Sequence, residues 1–229
     1  MATLLWDFDE TLAYRDGKWT RSMYEILVRN GYEHISEDEV GPHFKTGLPW
    51  HLSSKAHSDY FYDEDWWTHV NQVIRLKLLK LGFDDEQSLE LSSQFREEYL
   101  DLSKWHLYED TLDALMRSKS EGHTNIILSN HVPELKTIVK HLGIDGYFHT
   151  IISSADVGYD KPHPEIYKEA LKHTSKDSNV YMIGDSYKAD ILGASAMGIE
   201  AIWVRQDNTN GYKKHSVGLS GIWQYIERR

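Results

Sequence analysis

Between residues 124 and 204 short apolar runs alternate with helical stretches, and this alternation limits the possible folds more than any other feature. TNIILS (124–129), YFHTIIS (147–153), NVYMIGD (179–185) and EAIWV (200–204) read as strands. PELKTIVKHLG (133–143), PEIYKEALKH (164–173) and YKADILGASAMG (187–198) read as the helices between them. Pro133 suits a first helical turn, and Gly143 and Gly198 suit helix ends. Strands and helices in this order predict an α/β fold with a doubly wound parallel sheet. LLWDF (4–8), apolar up to a charge, adds one more buried parallel strand at the N-terminus.

Residues 14–105 lack the alternation. WTRSMYEILVRNG (19–31) has apolar residues at helical spacing, and SEDE (36–39) has the Ser-x-x-Glu spacing of a capping box. WWTHVNQVIRLKLLKLG (66–82) and EQSLELSSQFREEYLDLSKW (86–105) read as two long helices. The expected organisation is therefore an α/β core from 1–13 and 106–229, interrupted by an all-helical module over 14–105.

Composition removes several classes of function. The chain has no cysteine, which excludes disulfides, thiolate metal sites and a cysteine nucleophile. A net charge of −11 argues against nucleic acid as the main partner, because phosphate backbones are bound by clustered Lys and Arg. No apolar run approaches the roughly 18 residues of a membrane helix, and MATLLWDF has no basic leader region, so no membrane partner and a cytoplasmic location are expected. With this acidity, an anionic substrate needs local positive charge from a metal, a lysine or backbone N–H groups.

In an open parallel sheet, ligands sit beyond the carboxyl ends of the strands. Here the first strand delivers Asp7 and Asp9, and the second Ser129 and Asn130. After the third comes Lys161, between Asp160 and Pro162, and the fourth delivers Asp185, followed five residues later by Asp190. Residues i and i+2 of an extended segment share a face, so Asp7 and Asp9 are expected to converge, with Asp185 as a third carboxylate. Three such charges repel unless a cation joins them or a proton is taken up. Oxygen-only ligands, with no Cys and no well-placed His, favour a hard ion such as Mg²⁺. Lys161, the Ser129 hydroxyl and the N–H groups near Asn130 would then meet phosphoryl oxygens.

The segment Asp7-Phe8-Asp9-Glu10-Thr11, the strand ending at Ser129, Lys161 before Pro162, and Gly184-Asp185 with Asp190 together resemble the four motifs of the haloacid dehalogenase-like hydrolases. Lys-Pro-His-Pro-Glu-Ile-Tyr (161–167) resembles the third-motif segment of the phosphatase branch. The resemblance covers essentially the whole chain, with 14–105 in the place of a helical cap. It implies a Mg²⁺-dependent phosphatase acting on a small phosphorylated metabolite. Asp7 is then the nucleophile that becomes an aspartyl phosphate, and Asp9 is the acid and base. Ser129 and Lys161 position the phosphoryl group. The metal is held by the Asp7 carboxylate, the Asp9 backbone carbonyl and Asp185, while Asp190 orients Lys161 or metal-bound water.

Other readings stand beside this one. Carbon–halogen hydrolysis shares Asp7 but uses neither a second acid nor a metal, and a phosphomutase uses the same carboxylate pair. A non-catalytic metabolite-binding relative has no need of an intact nucleophile and lysine, and both are present. His51 and His57 fit no usual zinc spacing, and Trp66-Trp67 reads as the start of a packed helix. Arg15 reads either as a substrate contact or as a hinge residue. A monomer or a homodimer is expected.

Overall fold

The computed structural model describes residues 1–59, 65–175, 178–207 and 211–226. Asp63 and Glu64, the acidic pair ahead of Trp66, lie outside the described residues. The chain opens with β1 (Ala2–Trp6), then β2 (Ala13–Arg15), and continues through α1 (Lys18–Arg29), α2 (Glu37–Phe44), α3 (Trp66–Leu81), α4 (Asp85–Ser93) and α5 (Phe95–Tyr99). It then forms β3 (Trp105–Leu107), α6 (Thr111–Ser120), β4 (Thr124–Ser129), α7 (Leu135–His141), β5 (Thr150–Ser153), α8 (Ser154–Val157) and α9 (Pro164–Leu171). Last come β6 (Asn179–Gly184), a π-helical turn over Tyr187–Leu192, α10 (Gly193–Ala196), β7 (Glu200–Val204), β8 (His215–Ser216) and a 3₁₀ turn over Leu219–Gln224.

The sheet is the doubly wound parallel one that the alternation predicts. Its order is β5-β4-β1-β6-β7-β8, with every neighbouring pair parallel. β1 is central, and all five of its residues are buried, which is why LLW shows no polar alternation. Leu5 stands opposite Ile126 on one side and Met182 on the other. These three pack with Leu128, Ile166, Tyr167, Ile191, Ala194 and Ala201 on one face of the sheet. Trp6 faces a polar partner, its indole N–H donating to Asn125 Oδ1 at 2.9 Å. The chain leaves β1 for one edge of the sheet through β4 and for the other through β6. The crevice at the carboxyl end of β1 is therefore a topological switch point, where such sheets bind ligands.

The described residues divide into two compact units. One contains 1–14, 53–56 and 105–229; the other contains 15–52 and 57–104. Residues 53–56 thus group with the α/β unit, where Ala56 bridges Tyr159. The second unit is helical. α2 starts at the capping box formed by Ser36 and Glu39, and Asp65 caps α3 by accepting the Thr68 N–H at 3.0 Å. Half-buried Trp19 joins an aromatic cluster in this unit, with ring centroids 4.8 Å from Trp50, 5.1 Å from Phe95 and 4.6 Å from Tyr99. Arg15 is buried, donating to the carbonyls of Tyr99 and Glu98 at 3.0 and 2.7 Å and to the Glu98 carboxylate at 3.3 Å. It is a structural cation of this unit.

Two expected elements differ. The single helix over 86–105 is instead α4, α5, a 3₁₀ turn at Leu102–Lys104 and the start of β3. Near the break the Ser92 and Ser93 hydroxyls donate to the carbonyls of Leu89 and Glu90 at 3.1 and 2.7 Å, competing with the helix's own bonds. Trp105 is drawn into a two-stranded pairing with β2, a partner far away in sequence. The helix expected over 187–198 begins as a π-helical turn, in which Ile191 N–H donates to Ser186 O at 3.3 Å. That wide turn carries Asp190.

Candidate active site

Asp7 sits one residue past β1, its backbone N–H still bonded to Ile183 O at 2.9 Å. Its carboxylate is buried, and one oxygen, Oδ1, receives two donors. The Ser129 hydroxyl donates at 2.8 Å from the last residue of β4, and the Lys161 ammonium donates at 2.8 Å from the loop after α8. Three segments separated by 122 and 154 residues from Asp7 onward meet on a single oxygen atom. Lys161 also donates to Asp190 Oδ1 at 2.6 Å. Burial opposes the charge on Lys161, but Asp190 and Asp7 outweigh it and raise the ammonium above its ordinary value.

Oxygens of Asp7, Asp185 and Asp190 all lie within 4.8 Å of one another. This is not the expected trio. Asp190, rather than the Asp9 side chain, completes this carboxylate cluster, and the Asp9 carboxylate lies beside His131, with 3.7 Å between Oδ2 and Nε2. The Asp9 carboxylate remains 38% exposed, whereas that of Asp190 is fully buried. Burial and the charges of Asp7 and Asp190 push the Asp185 carboxyl up to about 8. Three carboxylates face one ammonium here, an excess of negative charge that a divalent cation would relieve. The donor set is all oxygen, so the residues present fit a hard ion such as Mg²⁺.

Neighbouring residues hold these groups in place. Asn130 does not point its amide at the Asp7 oxygens. Its Oδ1 accepts the Lys161 N–H at 2.6 Å, and its Nδ2 donates to Lys161 O at 2.9 Å. Asp190 accepts the Ser186 N–H at 2.9 Å through its other oxygen. Gly184 leaves room for it, since a Cβ at 184 would lie 2.2 Å from Asp190 Oδ2. Trp203 donates its indole N–H to the carbonyl of Asp185 at 2.6 Å. Past the first motif the chain turns at Glu10, whose φ is 58°, and Tyr108 donates its hydroxyl to Glu10 Oε2 at 2.9 Å.

His131 carries no sequence pattern that marks it as a site residue, yet it stands beside Asp9. Its side chain is fully buried, two residues past Ser129. Its place after a strand-end motif is the one local signal, and sequence does not tell which way a ring points.

A family profile described as "haloacid dehalogenase-like hydrolase" matches residues 1–198, and it takes in every residue of this cluster. The chain belongs to that family. Among curated relatives, a glyceraldehyde 3-phosphate phosphatase from Methanothermobacter thermautotrophicus is 31% identical over 111 residues, 47% of this chain and 49% of that protein. Haloacid dehalogenase-like hydrolase domain-containing protein 3 from Danio rerio is 25% identical over 93% of this chain and 87% of its own length. The chain thus spans about half the length of some of the curated relatives it matches. The haloacid dehalogenase-like fold is shared with a HAD phosphatase from Thermococcus onnurineus, at TM-score 0.65 and 23% identity over 98% of this chain and 97% of that one. A 2-haloacid dehalogenase from Pseudomonas syringae pv. Tomato DC3000 has the same coverage at TM-score 0.63 and 21% identity. Architecture alone therefore does not separate the two chemistries. No helix among the described residues is long and apolar enough to cross a membrane.

Proposed function

We propose that the protein is a phosphatase that hydrolyses a small phosphorylated metabolite through an aspartyl phosphate on Asp7, with Mg²⁺ as cofactor. The observation that carries this reading is the shared grip of Ser129 and Lys161 on Asp7 Oδ1. A hydroxyl donor and a buried cation thus lie beside Asp7, which supports a reading in which they meet the oxygens of an arriving phosphoryl group. Asp7 and Asp185, with the Asp9 backbone carbonyl, would hold Mg²⁺, which would offset the negative charge of the incoming phosphoryl group.

An Asp7 oxygen attacks phosphorus, and the bond from phosphorus to the leaving oxygen breaks. Asp9 gives its proton to that oxygen. It then takes a proton from the water that attacks the aspartyl phosphate, releasing inorganic phosphate and restoring Asp7. Lys161 neutralises charge on the phosphoryl oxygens, Ser129 donates a hydrogen bond to them, and Asp190 keeps the ammonium aimed. Asn130 contributes by fixing the Lys161 backbone. Relatives named glyceraldehyde 3-phosphate phosphatase and phosphoserine phosphatase support a small phosphorylated substrate. Asp9 and Asp185 favour phosphoryl transfer over carbon–halogen hydrolysis, which has no use for a leaving-group acid.

The test is hydrolysis of nitrophenyl phosphate with Mg²⁺ by the wild type and Asp7→Asn. The variant should keep its thermal unfolding and lose phosphate release, and EDTA should silence the wild type. Substantial activity in Asp7→Asn, or indifference to EDTA, would overturn the assignment.

A further inference from the structure

His131 is buried, and its imidazole is enclosed by aromatic groups. The Phe8 ring meets it edge-on with centroids 5.5 Å apart, and Trp105 lies at 5.3 Å. Its backbone is held on both sides, the N–H donating to Ser154 Oγ at 3.3 Å and the carbonyl accepting from Ser153 Oγ at 2.6 Å. A histidine buried this way ordinarily satisfies both ring nitrogens within the protein. Here neither nitrogen reaches full hydrogen-bond geometry among the described residues, although the Val132 backbone lies near enough to pull on the ring. Nε2 instead faces Asp9 Oδ2 across 3.7 Å. Burial keeps the ring neutral, pushing it down to about 4 against weaker pulls from the Val132 backbone and the Asp7 charge.

These contacts specify a rigid polar group aimed at a partly exposed carboxyl group. Phe8, between the two aspartates, is itself completely buried, so the ring wall that fixes His131 also fixes the backbone between Asp7 and Asp9. The separation is just beyond hydrogen-bond range, and a modest rotation of the Asp9 side chain would close it.

We infer that His131 is the positioning residue for Asp9, engaging Oδ2 by a hydrogen bond so that Oδ1 is presented to the leaving-group oxygen. The inference rests on Asp9 being the general acid, as proposed above. Any added rotational freedom of the Asp9 carboxyl group would put it out of line with the leaving oxygen for more of the time. An imidazole locked between Phe8 and Trp105 removes that freedom without adding a charge, because a neutral ring does not repel or neutralise its neighbours. His131 does not touch the phosphoryl group, and its contribution is confined to proton transfer.

That confinement gives a readout that loss of packing cannot imitate. An alkyl phosphate needs its leaving oxygen protonated, whereas a nitrophenyl or dinitrophenyl phosphate expels a stable phenolate and gains little from an acid. The experiment measures kcat/KM of wild type, His131→Leu and His131→Gln on both substrate types with Mg²⁺, and again in an Asp9→Asn background. His131→Leu should lose about 10- to 100-fold on the alkyl phosphate and less than about threefold on the dinitrophenyl ester, within the range that general-acid catalysis supplies. His131→Gln, which keeps an N–H donor, should recover part of the alkyl-phosphate rate. With Asp9→Asn the leaving-group selectivity of the His131 replacement should vanish.

Equal losses on both substrates, or the same selectivity with Asp9 replaced, would overturn the inference and leave His131 as packing. A wild type inactive on both substrates would instead overturn the phosphatase reading beneath it. Should His131→Leu not fold, the ratio of the two rates in His131→Gln against wild type decides, since an unchanged ratio refutes the role.

Discussion

Asn130 grips Lys161 by both sides of its backbone, accepting from its N–H at 2.6 Å and donating to its carbonyl at 2.9 Å. A lysine side chain is long and flexible, and an ammonium fixed at 2.8 Å from Asp7 requires that its root not move. The clamp also joins the end of β4 to the loop that carries Lys161. Both groups it satisfies would be left unpaired by truncation. Asn130→Ala should therefore cost about 1–2 kcal/mol of stability and lower kcat/KM on a phosphate ester by about tenfold or more. Asn130→Asp keeps the acceptor and loses the donor, so it should fall between the two. Near-normal turnover in Asn130→Ala would mean that Lys161 is held by its ion pairs alone.

Gly184 is set by the space that Asp190 occupies. A methyl group there would sit 2.2 Å from Asp190 Oδ2 and 2.3 Å from its Cγ, distances that no side chain tolerates. Asp190 is fully buried and bonded to both Lys161 and the Ser186 N–H, so it has nowhere to retreat. Gly184→Ala should displace Asp190, release Lys161 from its second carboxylate, and lower both melting temperature and activity. Loss of about tenfold or more in kcat/KM is expected, by the same positioning argument. Activity within twofold of wild type would show that Lys161 does not depend on Asp190.

The sequence carried the sheet because a buried parallel strand is written as an unbroken apolar run, and LLW, IIL and MIG are such runs. Strand ends are legible for the same reason. Asp7, Ser129 and Asp185 each stand where an apolar run stops, and a parallel sheet brings such stops to one edge. What the sequence could not carry is direction and distance within that edge. Nothing local says that Asn130 bends back onto Lys161, that Asp9 turns to His131, or that Asp190 enters the carboxylate cluster. The π-helical turn that delivers Asp190 reads as an ordinary helix, since one widened turn at the start of so short a helix leaves too few residues to reveal the shifted apolar phase. Trp105 becomes a strand only because β2 is there to pair with it. Long-range pairing of that kind has no local signature.

Glu98 is a buried carboxylate in the helical unit with three cationic partners. Arg15 approaches its Oε1 at 3.3 Å, Arg29 its Oε2 at 2.9 Å, and Lys104 also donates to it. Arg29 is largely exposed and contributes little, but the Arg15 side chain is only 1% exposed. Removing the carboxylate leaves a buried guanidinium without its counter-charge. Glu98→Ala should therefore destabilise by about 3 kcal/mol in urea unfolding, the cost of breaking a buried pair. A replacement of both residues, Arg15→Met with Glu98→Leu, should recover much of that loss. No recovery would mean that the hydrogen bonds from Arg15 to the Tyr99 and Glu98 carbonyls matter more than the charge pair.

Asp110 holds a different junction, within the α/β unit. Arg205 donates to both its oxygens, at 2.6 and 3.1 Å, and the Leu219 N–H adds a third bond at 2.7 Å. Burial works to raise the Asp110 carboxyl, but Arg205 and Leu219 outweigh it and hold it below the ordinary carboxylate range. The sign follows from linkage: with the folded value depressed, the unfolded chain takes up protons first as pH falls. The stabilisation is fully present above the unfolded value, near 4 for an aspartate, and is lost as pH falls through the folded value. The side chains of Asp110 and Arg205 are 29% and 16% exposed, which keeps the effect to about 1 kcal/mol. Asp110→Asn should therefore lower the melting temperature at pH 7, and its difference from wild type should shrink as pH falls below about 4. A gap that stays constant across that range would assign the contribution of Asp110 to hydrogen-bond geometry rather than to its charge.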